Sequence, residues 1–164
     1  MGPIEAAFPS EAWFAELVAR ATADGDAMAR LGIADLRFAA EIVDGDGRTD
    51  LFGILLDGYD IESLGRVDEA RFDPEVVLTG PVEAWREMVA SIESRGGADD
   101  FHTLNSLSIA GFPFTVRSPD PMGNDKFYRF MGTLQAIFDS AGQVPARAPV
   151  PVPAGHPPGG GTGG

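Results

Sequence analysis

An Asp-Gly turn between two apolar runs is the feature that most constrains how this chain can fold. The turn at residues 44–47, with the sequence Asp-Gly-Asp-Gly, separates the run 36–43 from the run 51–56. Asp-Gly steps suit tight turns that need a positive φ, and such turns join antiparallel strands. A second Asp-Gly step, at residues 57–58, follows the second run. The spacing therefore predicts an antiparallel meander.

Three further segments have the composition of strands. Residues 59–64 continue the meander as a third strand, and residues 75–79 form a fourth strand that ends at Gly80. Residues 107–116 predict a final strand pair or one bulged strand. The strand signals thus extend from the middle of the chain to its last third.

Helical periodicity occurs before, between and after these strands. Ser10 caps a first helix that ends near residues 24–26, with a further short turn through residues 28–31. Pro81 is expected to be the first residue of a second helix, because its missing N–H costs nothing at that position. Glycines at residues 96–97 end this helix, and residues 98–104 predict a short helical turn.

A last helix is predicted from a broad apolar stripe. Asn124 or Asp125 caps it, the stripe runs from Phe127 to Phe138, and Gly142 ends it. The order of elements predicts an α+β fold, with a single meandering, mostly antiparallel sheet of about five strands and helices packed on one face. We divide the chain into an N-terminal segment (1–9), a folded domain (10–142) and a disordered Pro/Gly-rich tail (143–164).

The charge balance disfavours several classes of partner. Acidic residues outnumber basic ones by 25 to 12, so the formal net charge is −13. Such a surface repels phosphates, which argues against nucleic acid and against tight electrostatic docking to a membrane. The N-terminus lacks the pattern of a secretory signal, and no run approaches the roughly 20 apolar residues that span a bilayer. We expect a cytoplasmic protein without stable membrane insertion.

Few residue patterns indicate catalysis. The chain has no cysteine, and we find neither a phosphate-binding glycine loop nor a Gly-x-Ser-x-Gly elbow. The run from Asp44 to Asp50 superficially suggests a calcium loop, but Thr49 replaces the required glycine and Leu55 stands where a glutamate should close the loop. We interpret this run as a hairpin turn and predict no metal and no cofactor.

A second acidic run has two interpretations. Asp99, Asp100 and His102 would suit a hard metal or a general base. Aspartates at the start of a short helix are also common caps, and no second histidine or glutamate stands at ligand spacing. The cap is the favoured interpretation, and we predict no catalytic residues.

The helices carry more aromatic and methionine bulk than one half-buried face usually needs. This bulk has two interpretations: plain core packing, or the wall of an apolar cavity, since ligand sites are mostly apolar and methionine adapts to varied shapes. Under the second interpretation, inner-facing strand residues join the helices, and the predicted ligand-binding residues are Phe52, Ile54, Trp85, Met88, Phe127, Phe130, Met131, Leu134 and Phe138.

Three segments, taken in order, resemble one known family. They are the Asp-Gly-punctuated meander of residues 36–67, the strand-to-helix step at residues 76–81 followed by Trp85, and the closing helix at residues 127–138. In this order they resemble the sterol carrier protein type-two (sterol-binding domain) family. The resemblance implies a five-stranded sheet, a hydrophobic tunnel beneath its helices, and the binding of sterols, fatty acids or acyl-CoA esters.

The chain departs from that family near its last strand. Family members usually carry a strand rich in glycine and lysine there, whereas residues 105–111 contain no lysine. A proline-marked segment, residues 112–121, is inserted before Asn124, where it would cap or reshape the tunnel mouth. The negative charge also argues against binding acyl-CoA through its phosphates.

These observations predict non-enzymatic binding of an apolar ligand, such as a sterol, a fatty acid or another lipid, in a hydrophobic cavity. The alternative is an accessory or scaffold subunit that contacts a protein partner through its acidic surface or its Pro/Gly tail. An enzyme that uses Asp99, Asp100 and His102 on a small apolar substrate is the third hypothesis.

Overall fold

A computed structural model describes residues 2–23, 25–109 and 112–142 of the protein. In this part of the chain one sheet is formed by the strands β1 (Ala34–Val43), β2 (Thr49–Gly58), β3 (Asp60–Arg66), β4 (Val76–Pro81) and β5 (Thr115–Arg117). The order is β3-β2-β1-β4-β5, with β1 and β4 parallel and the other neighbours antiparallel. The predicted α+β class with a mostly antiparallel five-stranded sheet is confirmed. The predicted tail, residues 143–164, lies outside the described residues.

The helices surround this sheet. They are α1 (Glu11–Ala23), α2 (Gly25–Arg30), α3 (Glu69–Phe72), α4 (Val82–Arg95), α5 (Leu104–Leu107), α6 (Pro121–Arg129) and α7 (Met131–Asp139), followed by a 3₁₀ turn, Ser140–Gly142. Among the described helices, none has both the length and the apolarity needed to cross a bilayer.

The predicted turn at residues 44–47 is confirmed in detail. The backbone N–H of Asp44 donates to the Arg48 carbonyl at 2.9 Å, and the Asp44 Oδ1 accepts the backbone N–H groups of Asp46 and Arg48, each at 2.9 Å. Gly47 has φ +81°, a conformation that glycine adopts without strain. The Asp44 carboxylate therefore closes a hairpin, as the turn interpretation requires.

The start of the second helix was predicted one residue too early. Pro81 is extended, with φ −66° and ψ 148°, and it pairs with Val43 as the last residue of β4. The φ of proline suits an extended residue as well as a helical one, so the parallel ladder decides its conformation. The predicted end of the helix is confirmed, because Gly96 adopts φ +79° and donates its N–H to the Ile92 carbonyl.

The prediction of the last helix was wrong in two respects: the helix starts earlier than predicted, and it is divided into α6 and α7. Asp120, rather than Asn124 or Asp125, is the cap: its carboxylate accepts the Gly123 N–H at 3.0 Å, and Pro121 follows as a favourable first helical residue. At Phe130, with φ −100° and ψ 12°, the chain leaves helical geometry, which separates α6 from α7.

The final strand was predicted too long. Leu107 lies in α5, which Thr103 caps by accepting the Ser106 N–H at 3.1 Å, and Ile109 follows this helix in a loop. Among the described residues of this segment, the pairing with β4 is made by Thr115–Arg117. α5 begins at Leu104, the last residue of the predicted helical turn. The Leu104 N–H donates to Oε1 of Gln135 on α7 at 2.7 Å.

The core lies between one face of the sheet and the helices α1, α4 and α7. We call this the inner face; on β1 it carries the buried residues Leu36, Phe38, Ala40 and Ile42. Phe14 of α1 stacks on Phe52 of β2 with the ring centroids 4.6 Å apart. These contacts bury large apolar side chains from both ends of the chain in one cluster.

The opposite, outer face is covered by α3. A Cβ added at Gly53 would lie 3.3 Å from the ring of Phe72, so the small residue lets α3 approach the sheet. Ion pairs join Arg117 of β5 to Glu69 on α3 and to Glu41 on β1. The hydrogen bond from Arg117 lowers the pKa of Glu69.

The helix α6 is held against the start of β4 by a close backbone approach. A Cβ added at Gly123 would lie 1.9 Å from the carbonyl oxygen of Glu75, which also accepts the Ser118 hydroxyl at 2.7 Å. The Lys126 Nζ lies 2.6 Å from Oε1 of Glu75. Burial raises the pKa of Glu75, but the hydrogen bonds from Lys126 and from the Arg37 backbone outweigh it, so the pKa lies below its ordinary value.

Replacing Gly123 by alanine should therefore destabilise the fold by about 1–3 kcal/mol, because the methyl group has no space beside a fixed backbone carbonyl. The matched control is Gly132→Ala in α7, where nothing lies within 4 Å of the added Cβ. That control should stabilise the protein by about 0.4–1 kcal/mol. Urea unfolding followed by circular dichroism measures both values, and similar changes in the two variants would contradict this account.

Candidate functional site

The residues predicted to bind a ligand come together in the core. Phe130 and Met131 are partly buried and pack against the core, and the other predicted residues are fully buried within it: Phe52, Ile54, Trp85, Met88, Phe127, Leu134 and Phe138. These residues therefore lie in one apolar cluster, and their predicted role in ligand binding stays a prediction. Whether they contact a ligand depends on the space between them.

Aromatic rings contact one another among these residues. The Trp85 ring lies 4.5 Å from Phe114 and 5.8 Å from Phe138, measured between centroids, and its Nε1 donates to the Glu41 carbonyl at 3.2 Å. Phe138 also meets Phe38 of β1 edge to face. The predicted residues line none of the three clefts described below.

One cleft opens on the core at an end of the sheet. We call it the sheet-end cleft; it is lined by Met28, Gly32, Ala34, Leu56, Gly58, Tyr59, Asp60, Ile61 and Thr133. Its floor consists of core residues, since Met28, Ala34 and Leu56 are at most 9% exposed. Its volume is about 10 Å³, roughly the space that one water molecule needs. A ligand larger than water therefore requires this cleft to widen.

The segment over the sheet-end cleft is short and ends in a glycine turn. α2 has six residues, and an isolated helix of that length is unstable in water. Met28 of α2 packs in the core cluster. The N–H of Leu31 donates to the Met28 carbonyl at 3.1 Å. Gly32 follows with φ +88°, where a larger residue would be strained.

Sequence reasoning missed the sheet-end cleft. A short turn through residues 28–31 was predicted, but its apolar residues were not connected with a site. The available signal was the run Leu31-Gly32-Ile33, which places apolar side chains beside a glycine outside any strand or helix. A second signal was Tyr59, an aromatic residue in the tight turn between β2 and β3.

A larger groove, of about 530 Å³, lies between the N-terminal segment and α1. Its lining is mostly small or charged: Gly2, Pro3, Ile4, Glu5, Ala6, Ala12, Glu16 and Arg20. Arg20 is only 5% exposed; its Nε lies 3.3 Å from Glu16, and its Nη1 donates to the Ala141 carbonyl at 3.3 Å. The guanidinium is thus already engaged, and the groove offers one large apolar side chain, Ile4.

A third cleft, of about 180 Å³, lies on the outer face beside α3. Arg117 lines it together with Glu69, Asp73 and Ser118. Both sides of the Arg117 guanidinium are occupied by carboxylates, those of Glu69 and Glu41. The sheet-end cleft is the smallest of the three, but the chemistry of its lining fits an apolar ligand better than that of the other two.

The acidic run at residues 99–102 forms a turn. Oδ1 of Asp99 accepts the backbone N–H groups of Phe101 and His102 at 2.9 and 3.0 Å, and the His102 Nδ1 lies 2.8 Å from the same oxygen. The Ser91 hydroxyl donates to Oδ2 of Asp99 at 3.0 Å. The favoured interpretation, that these aspartates cap a short helix, is wrong in detail: Thr103 caps α5, Asp99 instead binds backbone N–H groups of the preceding turn, and Asp100 is exposed.

This arrangement lacks the order that activates a serine nucleophile. Asp99 stands between Ser91 and His102, so the serine proton points to the carboxylate and the imidazole contacts the same carboxylate. Within the described ranges, no three side chains of histidine, aspartate or glutamate converge on a possible metal position. The cluster orders the loop that follows α4.

Comparisons with known proteins show the fold. No protein-family model matches the chain, and no curated protein matches it significantly. A solution structure from Thermus thermophilus, described as a conserved hypothetical protein and possibly a sterol carrier protein, is 11% identical with a TM-score of 0.53; the match covers 90% of this chain and 97% of that one. Sterol Carrier Protein 2 from Yarrowia lipolytica, in its apo form, is 12% identical with a TM-score of 0.48. That match covers 82% of this chain and 93% of the other chain.

The Asp99 turn should make stability depend on pH below about 4. The hydrogen bond with His102 lowers the pKa of Asp99 from 3.8 to about 2. A depressed pKa in the folded state contributes stability above the unfolded value, which is lost as the pH falls through the folded value. In thermal unfolding, the difference in melting temperature between the protein and Asp99→Asn should therefore be largest above pH 4 and shrink towards pH 2. The matched control, Asp100→Asn, should give a small difference that does not follow this trend.

Proposed function

We propose that this protein binds an apolar ligand, such as a sterol, a fatty acid or another lipid, without catalysing a reaction on it, and that the ligand enters through the sheet-end cleft. One observation carries the proposal: the cleft has a floor of core residues, Met28, Ala34 and Leu56, yet it reaches the surface. The fold shared with the Thermus thermophilus structure described as possibly a sterol carrier protein is consistent with it.

Entry requires the cleft to open, and α2 is the element that can move. Displacing α2 removes Met28 from the wall and leaves Leu56 and Thr133 facing the solvent. Thr133 begins a buried stretch of α7 that continues with Leu134, so the widened cleft leads towards the predicted binding residues. In this proposal those residues contact the ligand only after the core has repacked.

Burial supplies the affinity in this mechanism. Each 100 Å² of apolar ligand surface removed from water contributes roughly 2.5 kcal/mol. The contacts of α2 that are lost on opening oppose this gain, and a protein whose open state is rarely populated binds with correspondingly reduced apparent affinity.

A single cysteine at the cleft tests this proposal, since the natural chain contains none. Alkylation of Ile61→Cys should slow on addition of oleate or cholesterol, by about tenfold at a ligand concentration ten times the Kd. Ile109→Cys is the matched control, because Ile109 is 53% exposed and lies outside the cleft lining. Its alkylation rate should not change.

Native mass spectrometry of the purified protein provides an independent measurement, in which a retained apolar molecule is the expected result. No extractable lipid, no fluorescence enhancement of an apolar probe and equal alkylation with and without ligand would together contradict the proposal.

Those negative results would favour the second candidate, an accessory subunit that contacts a protein partner. One observation supports it: the loop around α5 exposes Phe101, Ile109 and Phe112, which are 79%, 53% and 52% exposed. Exposed large apolar side chains close together in a chain are typical of interaction surfaces. Loss of a partner from Phe101→Asp, with ligand binding unchanged, would identify this second role.

A further inference from the structure

The sheet-end cleft is surrounded by exposed apolar side chains, which we call the apolar rim: Leu31, Ile33 and Tyr59. They are 44%, 64% and 60% exposed. Leu31 and Ile33 flank Gly32, which lines the cleft, and Tyr59 lines it directly. Ala34 and Gly58 are the last paired residues of β1 and β2, so Ile33 and Tyr59 are the next residues beyond this pair. The rim therefore lies where a ligand would enter.

The charges beside the apolar rim are mainly negative. The two segments that carry it, residues 25–35 and 57–60, contain exposed carboxylates at Asp26, Asp35, Asp57 and Asp60 and one exposed guanidinium at Arg30. Asp35 and Asp57 stand directly opposite each other on β1 and β2, where like charges are unfavourable. Lys126 lies 3.8 Å from Asp35 but is bound more closely, at 2.6 Å, to Glu75. An anionic surface is thus repelled at this end of the sheet.

We propose that the apolar rim docks the protein transiently on zwitterionic lipid bilayers, from which the ligand passes into the sheet-end cleft. The proposal rests on the proposed function. A lipid leaves a bilayer for water at a large cost that rises with each buried CH₂ group, so contact between the rim and the bilayer provides a path that avoids water. Tyrosine suits such contact, because its ring is apolar and its hydroxyl remains hydrated at the membrane interface.

The charge pattern selects the kind of membrane. Electrostatic docking needs basic residues beside anionic lipid headgroups, and the rim has the opposite balance. A zwitterionic surface neither attracts nor repels the acidic flank, so the exposed apolar side chains decide the contact. Docking should therefore be strongest on phosphatidylcholine, weaker when phosphatidylserine is added, and partly restored by salt, which screens the repulsion.

Vesicle flotation of the full chain tests this inference. The protein should float with phosphatidylcholine vesicles, and the double variant Ile33→Asp/Tyr59→Asp should lower its partition coefficient about tenfold or more, because two apolar contacts are lost. Both side chains are largely exposed, so the variant keeps the core intact, which circular dichroism checks. Phe101→Asp, at a more exposed apolar residue outside the rim, is the matched control and should float like the unchanged protein.

A conservative variant gives a positive signal. Tyr59→Trp should retain docking, and its indole emission should shift to the blue on phosphatidylcholine vesicles. The native tryptophans, Trp13 and Trp85, are at most 1% exposed and contribute no comparable shift. An unshifted emission in the presence of bound vesicles would place the contact elsewhere on the protein.

Other outcomes overturn the inference. Equal flotation of the rim variant and the unchanged protein, or flotation only when phosphatidylserine is present, excludes the rim as the docking surface. A dimer in solution that the rim variant dissociates, without vesicle binding, would make the rim an interface between two copies. If soluble ligand protects Ile61→Cys from alkylation but the protein does not float, the docking inference fails while the proposed function stands. If the protein floats but ligand does not protect Ile61→Cys, the docking inference stands while the proposed function fails.

Discussion

The parallel pairing of β1 with β4 is the contact on which the rest of this structure depends. It joins the antiparallel meander to the second half of the chain, and Phe38 and Ala40 of β1 lie beside Val76 and Leu78 of β4 on the same face. Because β4 leads directly into α4, this pairing also places the Trp85 ring over the sheet. Without it, the meander would have an open edge and half of its apolar face would lack a cover.

The same arrangement explains why the predicted binding residues lie in one apolar cluster. Helices from both ends of the chain converge on one inner face, and their aromatic rings contact one another: Phe14 with Phe52, and Trp85 with Phe138. A close-packed interior of this kind leaves little unused volume. A binding role for this core therefore requires a movable element at its boundary, and α2 with Met28 is positioned to provide one.

The sheet-end cleft and the apolar rim combine features that a purely structural surface avoids. Exposed Leu31, Ile33 and Tyr59 reduce solubility, and the opposed carboxylates of Asp35 and Asp57 repel each other. Both features occur at the end of the sheet where the core residues Met28, Ala34 and Leu56 line a cleft. Together they place exposed apolar side chains among carboxylates at one end of the domain, in contrast to the charged groove beside Arg20, whose groups already bind one another.

Local chemistry in the sequence determined the elements of this protein, and non-local packing decided their ends and their use. The Asp-Gly turn, the cap at Ser10 and the apolar stripes depend on residues a few positions apart, so they could be predicted without the fold. The extended Pro81 and the short β5 depend on partners supplied by distant segments, as do the ring contacts of Trp85. The cap at Asp120 binds Gly123, three residues away, so it was a local signal that the sequence analysis missed. Periodicity indicates which side chains leave water, but only their distances across the fold decide whether they enclose a cavity or fill it. The sheet-end cleft belongs to this second class, because it arises where α2, the β2–β3 turn and α7 meet.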